Sequence, residues 1–261
     1  MEYSTLKFER EGEVATLTLN RPDKRNAIST PMIEDLFAAL ASTEEDRSVR
    51  VVILTGAGKA FCAGMDLDTL QALAKQTPEQ NLADSRRMAK MFQLVYSFPK
   101  PLITAVNGAA IAGGCGLATL SDFTLAVPTA KFGYTEVRIG FIPALVSVML
   151  RRQVGEKHAR DLLLTGRIFD AAEAFRLGLV TEVVPPDDLM KRAREVANMF
   201  LEASPISLAM TKRLLLRYDE GQLGREMELA TQENAQIRAT DDFREGLASF
   251  LEKRPPKWTR R

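Results

Sequence analysis

Thr16-Leu17-Thr18-Leu19 alternates with the period of a half-buried strand, and Asn-Arg-Pro-Asp-Lys-Arg-Asn-Ala at 20–27 then reads as a loop. Thr30 is a candidate N-cap before Pro31, and Ile33, Leu36, Phe37 and Leu40 follow at helical spacing. Short, mostly apolar runs at 51–54, 102–106 and 123–127 predict buried strands. Residues 79–97 predict a helix that Pro99 and Pro101 close. Further helices are expected around Leu162, over 171–177 and over 188–201, with a last short strand at 180–184. Beyond residue 187 no strand pattern appears. There Phe243, Leu247, Phe250 and Leu251 share one helical face, and Asp242 with Glu245 offers a capping box. The pattern predicts an α/β core over 1–195 and a helical C-terminal region over 196–261.

The longest uncharged stretch, 101–121, is long enough to raise a membrane-spanning reading. Asn107 and four glycines argue against it, because the pattern changes from an extended apolar run to a glycine turn and then a helix. The chain has 261 residues, 46% of them apolar and 26% charged, ordinary values for a globular protein. With 35 basic and 34 acidic residues the net charge is +1, so no basic field invites nucleic acid. The first residues show no apolar core after a basic start, and two cysteines make no disulfide framework. A cytoplasmic protein is the expectation.

One count narrows the chemistry. The single histidine, His158, lies in an ordinary helical pattern, and no G-x-S-x-G turn accompanies it, which disfavours a serine hydrolase. Cys62, Cys115 and His158 lack ligand spacing, so no metal site is expected. Chemistry should rest on carboxylates and backbone amides.

Two glycine-rich turns follow predicted strands. In the first, Gly56 and Gly58 begin a dinucleotide fingerprint, but Phe61 stands where the third glycine belongs. Lys59 is followed by Ala60, which breaks the phosphate-loop pattern. A helix start is expected at Asp66. The second turn runs from Asn107 to Leu117 and opens a helix. Free amides at a helix start carry partial positive charge, and glycine lets another group approach them. Two such turns facing one another would form an oxyanion hole, in which one donor is worth roughly 3–4 kcal/mol. Two tightly packed strand–helix turns would look the same in sequence.

The residues here become specific. Ala-Phe-Cys-Ala-Gly-Met-Asp-Leu at 60–67 and Ala-Val-Asn-Gly-Ala-Ala-Ile-Ala-Gly-Gly-Cys at 105–115 resemble the enoyl-CoA hydratase/isomerase (crotonase) superfamily. The loop at 20–27, Phe-Gly-Tyr-Thr-Glu-Val-Arg-Ile-Gly-Phe-Ile-Pro at 132–143, and the segments 164–180 and 250–254 extend the likeness across about residues 14–254. The resemblance implies a crotonase-like α/β spiral of ββα units with a helical C-terminal trimerisation region, assembled as a homotrimer or a dimer of trimers. It implies an acyl-CoA thioester substrate, with no cofactor beyond the CoA moiety and neither nucleic acid nor membrane as partner. It implies that the amides of Ala63 and Gly113 hold the thioester oxygen. CoA contacts are implied for Lys24, Arg25, Ala27, Ala63, Asp66 and Leu67, and for Phe250 and Lys253 from this chain or a neighbouring copy.

Hydratases of the family use two glutamates. Glu136 matches the second, and its apolar neighbours Phe132, Val137, Ile139 and Phe141 make a raised pKa plausible. A salt bridge to Arg138 or Lys131 is the ordinary alternative. The first position falls on Gly116, which has no side chain. One general acid/base contributes about 10²–10⁴-fold, so its loss should be felt without abolishing reaction. The resemblance therefore leaves three readings: a 2-enoyl-CoA hydratase, favoured by overall likeness; a Δ3,Δ2-enoyl-CoA isomerase, favoured by the carboxylate count; and a weakly catalytic acyl-CoA-binding protein. Met65, Leu70, Met88, Met91, Ile142 and Leu145 are candidate acyl-pocket residues, or simply core.

Overall fold

The computed structural model describes residues 3–259. The strands are β1 (Leu6–Glu11), β2 (Val14–Leu19), β3 (Val51–Gly56), β4 (Ala60–Cys62), β5 (Leu102–Val106), β6 (Ala109–Ile111), β7 (Phe123–Ala126), β8 (Lys131–Gly133), β9 (Ile168–Asp170) and β10 (Glu182–Val183). They form a six-stranded sheet in the order β1-β2-β3-β5-β7-β10 and a four-stranded sheet in the order β4-β6-β8-β9. Pairing is parallel except at β1–β2 and β8–β9. Each of β3–β4, β5–β6 and β7–β8 puts a longer strand in one sheet and a three-residue neighbour in the other. That repetition is the ββα spiral the resemblance implied.

β3 and β5 are buried at every position, as parallel strands covered on both faces must be. Helices supply the cover: α1 (Thr30–Glu45), α2 (Leu67–Leu73), α3 (Pro78–Ser97), α4 (Gly113–Thr119), α5 (Ala144–Thr165), α6 (Ala171–Arg176) and α7 (Leu189–Leu201). The chain then runs through α8 (Pro205–Arg217), α9 (Glu220–Gln236) and α10 (Asp241–Leu251), with no strand beyond Val183 among the described residues. α9 packs along α3 and α5, so Met227 and Ala230 join the main core.

Two expected caps move. α1 starts at Thr30, but its N-cap is Ser29, whose hydroxyl accepts from the Met32 amide. α10 is capped by Thr240 rather than by Asp242. Glu245, free of any capping box, pairs with Arg254.

A 3-10 turn, Glu136–Ile139, follows β8 and ends on Gly140 at φ 65°. A side chain at Gly140 would collide with the Asp242 carbonyl, and one at Gly246 would collide with Ile139. α10 is thus seated backbone-to-backbone on the turn that carries Glu136. Gly140→Ala adds a left-handed-region penalty to that collision and should cost about 2–4 kcal/mol, read as a lowered midpoint in urea unfolding.

Candidate active site

The two glycine turns meet. β4 pairs with β6 in parallel, Ala60 opposite Ala109 and Cys62 opposite Ala110. A methyl group on Gly64, at φ 88°, would lie 2.8 Å from the Ile111 carbonyl oxygen, and one on Gly114 would collide with the Cys62 carbonyl. Residues 60–67 and 107–117 are therefore seated on each other with no room for side chains between them.

Beside them lies a cavity of about 360 Å³. Gly113 and Ala112 line it from the second turn, Ala63 and Met65 from the first, and Glu136 with Thr135 from the 3-10 turn. Lys24, Ala27, Asp66, Leu67 and Phe250 also line it. Of the residues assigned to CoA, only the exposed Arg25 and Lys253 lie away from its wall. Phe250 reaches this chain's own cavity and is 57% exposed. Of the acyl-pocket candidates, Met65, Leu70, Met88, Ile142 and Leu145 line the cavity, whereas Met91 is fully buried in the main core and does not line it.

The amide assigned in the first turn needs correction. The Ala63 N–H is not available to a substrate, because it donates to the Arg25 carbonyl at 3.0 Å. Two residues on, the backbone pairs with Ile28: the Ile28 amide donates to Gly64 O at 2.7 Å, and the Asp66 amide donates to Ile28 O at 2.8 Å. The Met65 amide between them turns the other way and has no hydrogen-bond acceptor among the described residues. The Gly113 amide, first of α4, has none either. The open pair of donors is Met65 and Gly113. No local signal marks the choice, because it is made by Arg25 and Ile28 across the 20–28 loop.

Asp66 is 3% exposed and caps α2 by accepting from the Asp68 amide. Its carboxylate also pairs with Arg21 at 2.8 Å, and Arg21 donates to Ala27 O at 2.7 Å. Asn26, fully buried at φ 55°, accepts from the Arg21 amide and donates to Ala57 O and Ala60 O. Neither Arg21 nor Asn26 stood out in the sequence, yet together they tie the 20–27 loop to the first turn.

Glu136 is buried, and burial raises its carboxyl to about 7, with its own backbone amide opposing the shift. Its Oε2 has no hydrogen-bond partner, and among the described residues it forms no ion pair with Lys131 or Arg138. Gly116 lies close to two cavity-lining residues: a Cβ there would stand 2.5 Å from Val146 Cγ1 and 3.5 Å from Phe92 Cε1. Hydrocarbon thus occupies the space beside the missing carboxylate. Beneath the turns, Cys62 and Cys115 are free and buried, and burial pushes both thiols up to about 12. No cluster of metal-ligating side chains occurs among the described residues, and no helix among them is long and apolar enough to cross a membrane.

The chain matches the family model for enoyl-CoA hydratase/isomerase over residues 9–261 and belongs to that enzyme family. A Thermus thermophilus protein bearing the provisional name of enoyl-CoA hydratase is 46% identical over 95% of this chain and 98% of its own length. The crotonyl-CoA hydratase of Syntrophomonas wolfei is 34% identical over 97% of each chain. Among solved structures, an enoyl-CoA hydratase/isomerase from Xanthobacter autotrophicus superposes with a TM-score of 0.89 at 31% identity, covering 97% of each chain. An enoyl-CoA hydratase from Mycobacterium avium gives 0.88 at 33% identity, covering 99% of this chain and all of that one.

The buried carboxyl sets a pH dependence of stability. A folded pKa of about 7 against an ordinary 4.5 means that the native state holds a proton the unfolded state has released. Stability from this group is complete below about 4.5 and is lost as pH rises through about 7. The loss approaches about 3 kcal/mol. Glu136→Gln should therefore gain thermal stability relative to the parent at pH 8, with the difference shrinking toward pH 4.5, as scanning calorimetry at both values would register.

Proposed function

We propose that this protein is a 2-enoyl-CoA hydratase that works with a single carboxylate. The carrying observation is Glu136, buried, with its Oε2 unpartnered, lining the same cavity as the free amides of Met65 and Gly113. The names of its relatives support the same reaction.

As water attacks C3, the ionised Glu136 takes the water's proton. The C2–C3 π pair moves toward the thioester, whose oxygen gains charge and is held by the two amides. The protonated Glu136 then delivers its proton to C2 as the carbonyl re-forms. One group serves as base and then acid, and a pKa near neutrality suits both halves. Lys24, Leu67 and the Arg21-anchored Asp66 line the cavity on the side assigned to the CoA arm. The exposed apolar residues of α8, Ile206, Met210, Leu214 and Leu215, with Tyr218 at its C-cap, support association of copies of this chain into the trimer its resemblance implies.

The isomerase reading keeps one specific support. Moving a double bond from C3 to C2 requires one base to carry a proton from C2 to C4, and hydrocarbon beside Gly116 suits it. Purified protein given 2-enoyl-CoA should bleach the conjugated-thioester absorbance; a rise in that absorbance from 3-enoyl-CoA, without bleaching of the other, would establish the isomerase instead. Either activity should fall at least about 10²-fold in Glu136→Gln, and kcat/KM should climb with pH through an apparent pKa near 7 because the ionised form starts the reaction.

Restoring the second carboxylate offers a sharper comparison. Gly116→Glu alone should destabilise by about 1–3 kcal/mol through its contact with Val146. Gly116→Glu combined with Val146→Ala relieves that contact. If the hydratase reading holds, the double variant should hydrate faster than the parent, by up to about 10²-fold, in the same absorbance assay.

A further inference from the structure

The cavity wall is mostly apolar. Its polar members are Lys24 and Asp66 near the 20–27 loop, Thr135 and Glu136 on the 3-10 turn, and Asn234 from α9. The first four border the proposed CoA arm or the reacting carbons. Asn234 has no such role, and it is only 5% exposed.

Its orientation is fixed. Arg238 Nη2 donates to Asn234 Oδ1 at 2.8 Å. A guanidinium has only donors, so the amide atom facing it must be the oxygen, and the NH₂ group must face away. Among the described residues that Nδ2 donates to no protein atom, while the residue lines the cavity. Arg238 is held rigidly. It is 1% exposed, it pairs with Asp84 at 2.9 Å, and it donates to Asn81 O and Oδ1. Its guanidinium also stands 5.8 Å from the ring of Phe141, which itself lines the cavity. A buried cation on the amide oxygen polarises the amide and strengthens its N–H as a donor. A buried donor left without an acceptor is costly, and a substrate tail that fills the cavity with hydrocarbon would impose that cost.

We infer that Asn234 is a specificity residue that selects acyl-CoA thioesters carrying an oxygen acceptor, a ketone or a carboxyl group, on the tail beyond the reacting carbons. The inference rests on the acyl-CoA reading of the cavity and names the tail chemistry it prefers. Sites built to hydrogen-bond a substrate group reject the analogue lacking it far more strongly than apolar pockets reject a changed methyl group.

Calorimetric titration with unreactive saturated thioesters tests it without any turnover. At two tail lengths, 4-oxopentanoyl-CoA and 5-oxohexanoyl-CoA are compared with their methyl-branched isosteres, 4-methylpentanoyl-CoA and 5-methylhexanoyl-CoA, and with succinyl-CoA and glutaryl-CoA. At one length or the other, an oxygen-bearing tail should bind about tenfold or more tighter than its methyl isostere, and the ketone and carboxyl arms identify which acceptor is read. Asn234→Asp keeps the oxygen on Arg238 but replaces the donor with an acceptor. It should abolish the preference for oxygen. Asn234→Leu should abolish it as well. Equal binding of methyl and oxygen tails by the parent, or an unchanged preference in Asn234→Asp, overturns the inference. Failure of every thioester to bind would overturn the acyl-CoA reading together with it, so the two failures are distinguishable.

Discussion

Main-chain carbonyls come closer to main-chain atoms between the two turns than any Cβ would permit. Gly64 sits on Ile111, Gly114 on Cys62 and Gly108 on Lys59, each at a distance a methyl group could not share. Everything chemical in the cavity follows from that seating. It brings the helix-start amide of Gly113 next to a segment whose Ala63 and Asp66 amides are already spent on Arg25 and Ile28, leaving Met65 open between them. The donors are backbone groups held in a parallel framework, so they need no reorganisation as charge develops. A side-chain donor would carry torsional freedom that these lack.

The carboxylate is held by the same kind of contact from another direction. α10 lies against the 3-10 turn through Gly140 and Gly246, so the C-terminal helix sets where Glu136 stands. That explains why a helix remote in sequence contributes both Phe250 to the cavity wall and Phe243 to the ring contact with Phe141 at 5.3 Å. Burial then does the electrostatic work. No partner cation offsets the desolvation of Glu136, and a neutral carboxyl poised to ionise is the result.

Much of this was legible beforehand where a signal is local. β5 appears at its predicted residues, and α3 and α7 within one residue of theirs, because apolar runs and periodic faces announce themselves. β4, β6, β8 and β9 were not visible, since strands of three residues have too few positions to show alternation. β1 was also missed: only Leu6 of its six residues is buried, and the charged remainder reads as surface loop. At the site, the glycine turns were marked by their pattern after predicted strands, and Glu136 by the family resemblance. The choice between Ala63 and Met65 was not, because it depends on which amide meets Arg25 across a loop. Asn26, Arg21 and Asn234 matter through partners distant in the chain, and no window of sequence contains both ends of those contacts.

The two thiols beneath the turns carry a practical consequence. Cys62 and Cys115 are walled in and held protonated far above neutral pH, so alkylating reagents find no nucleophile while the native state persists. Any labelling that does occur must wait for the spiral to part at β4 and α4. The rate of cysteine modification is therefore an internal clock for local opening of the catalytic layer, readable by mass without touching substrate.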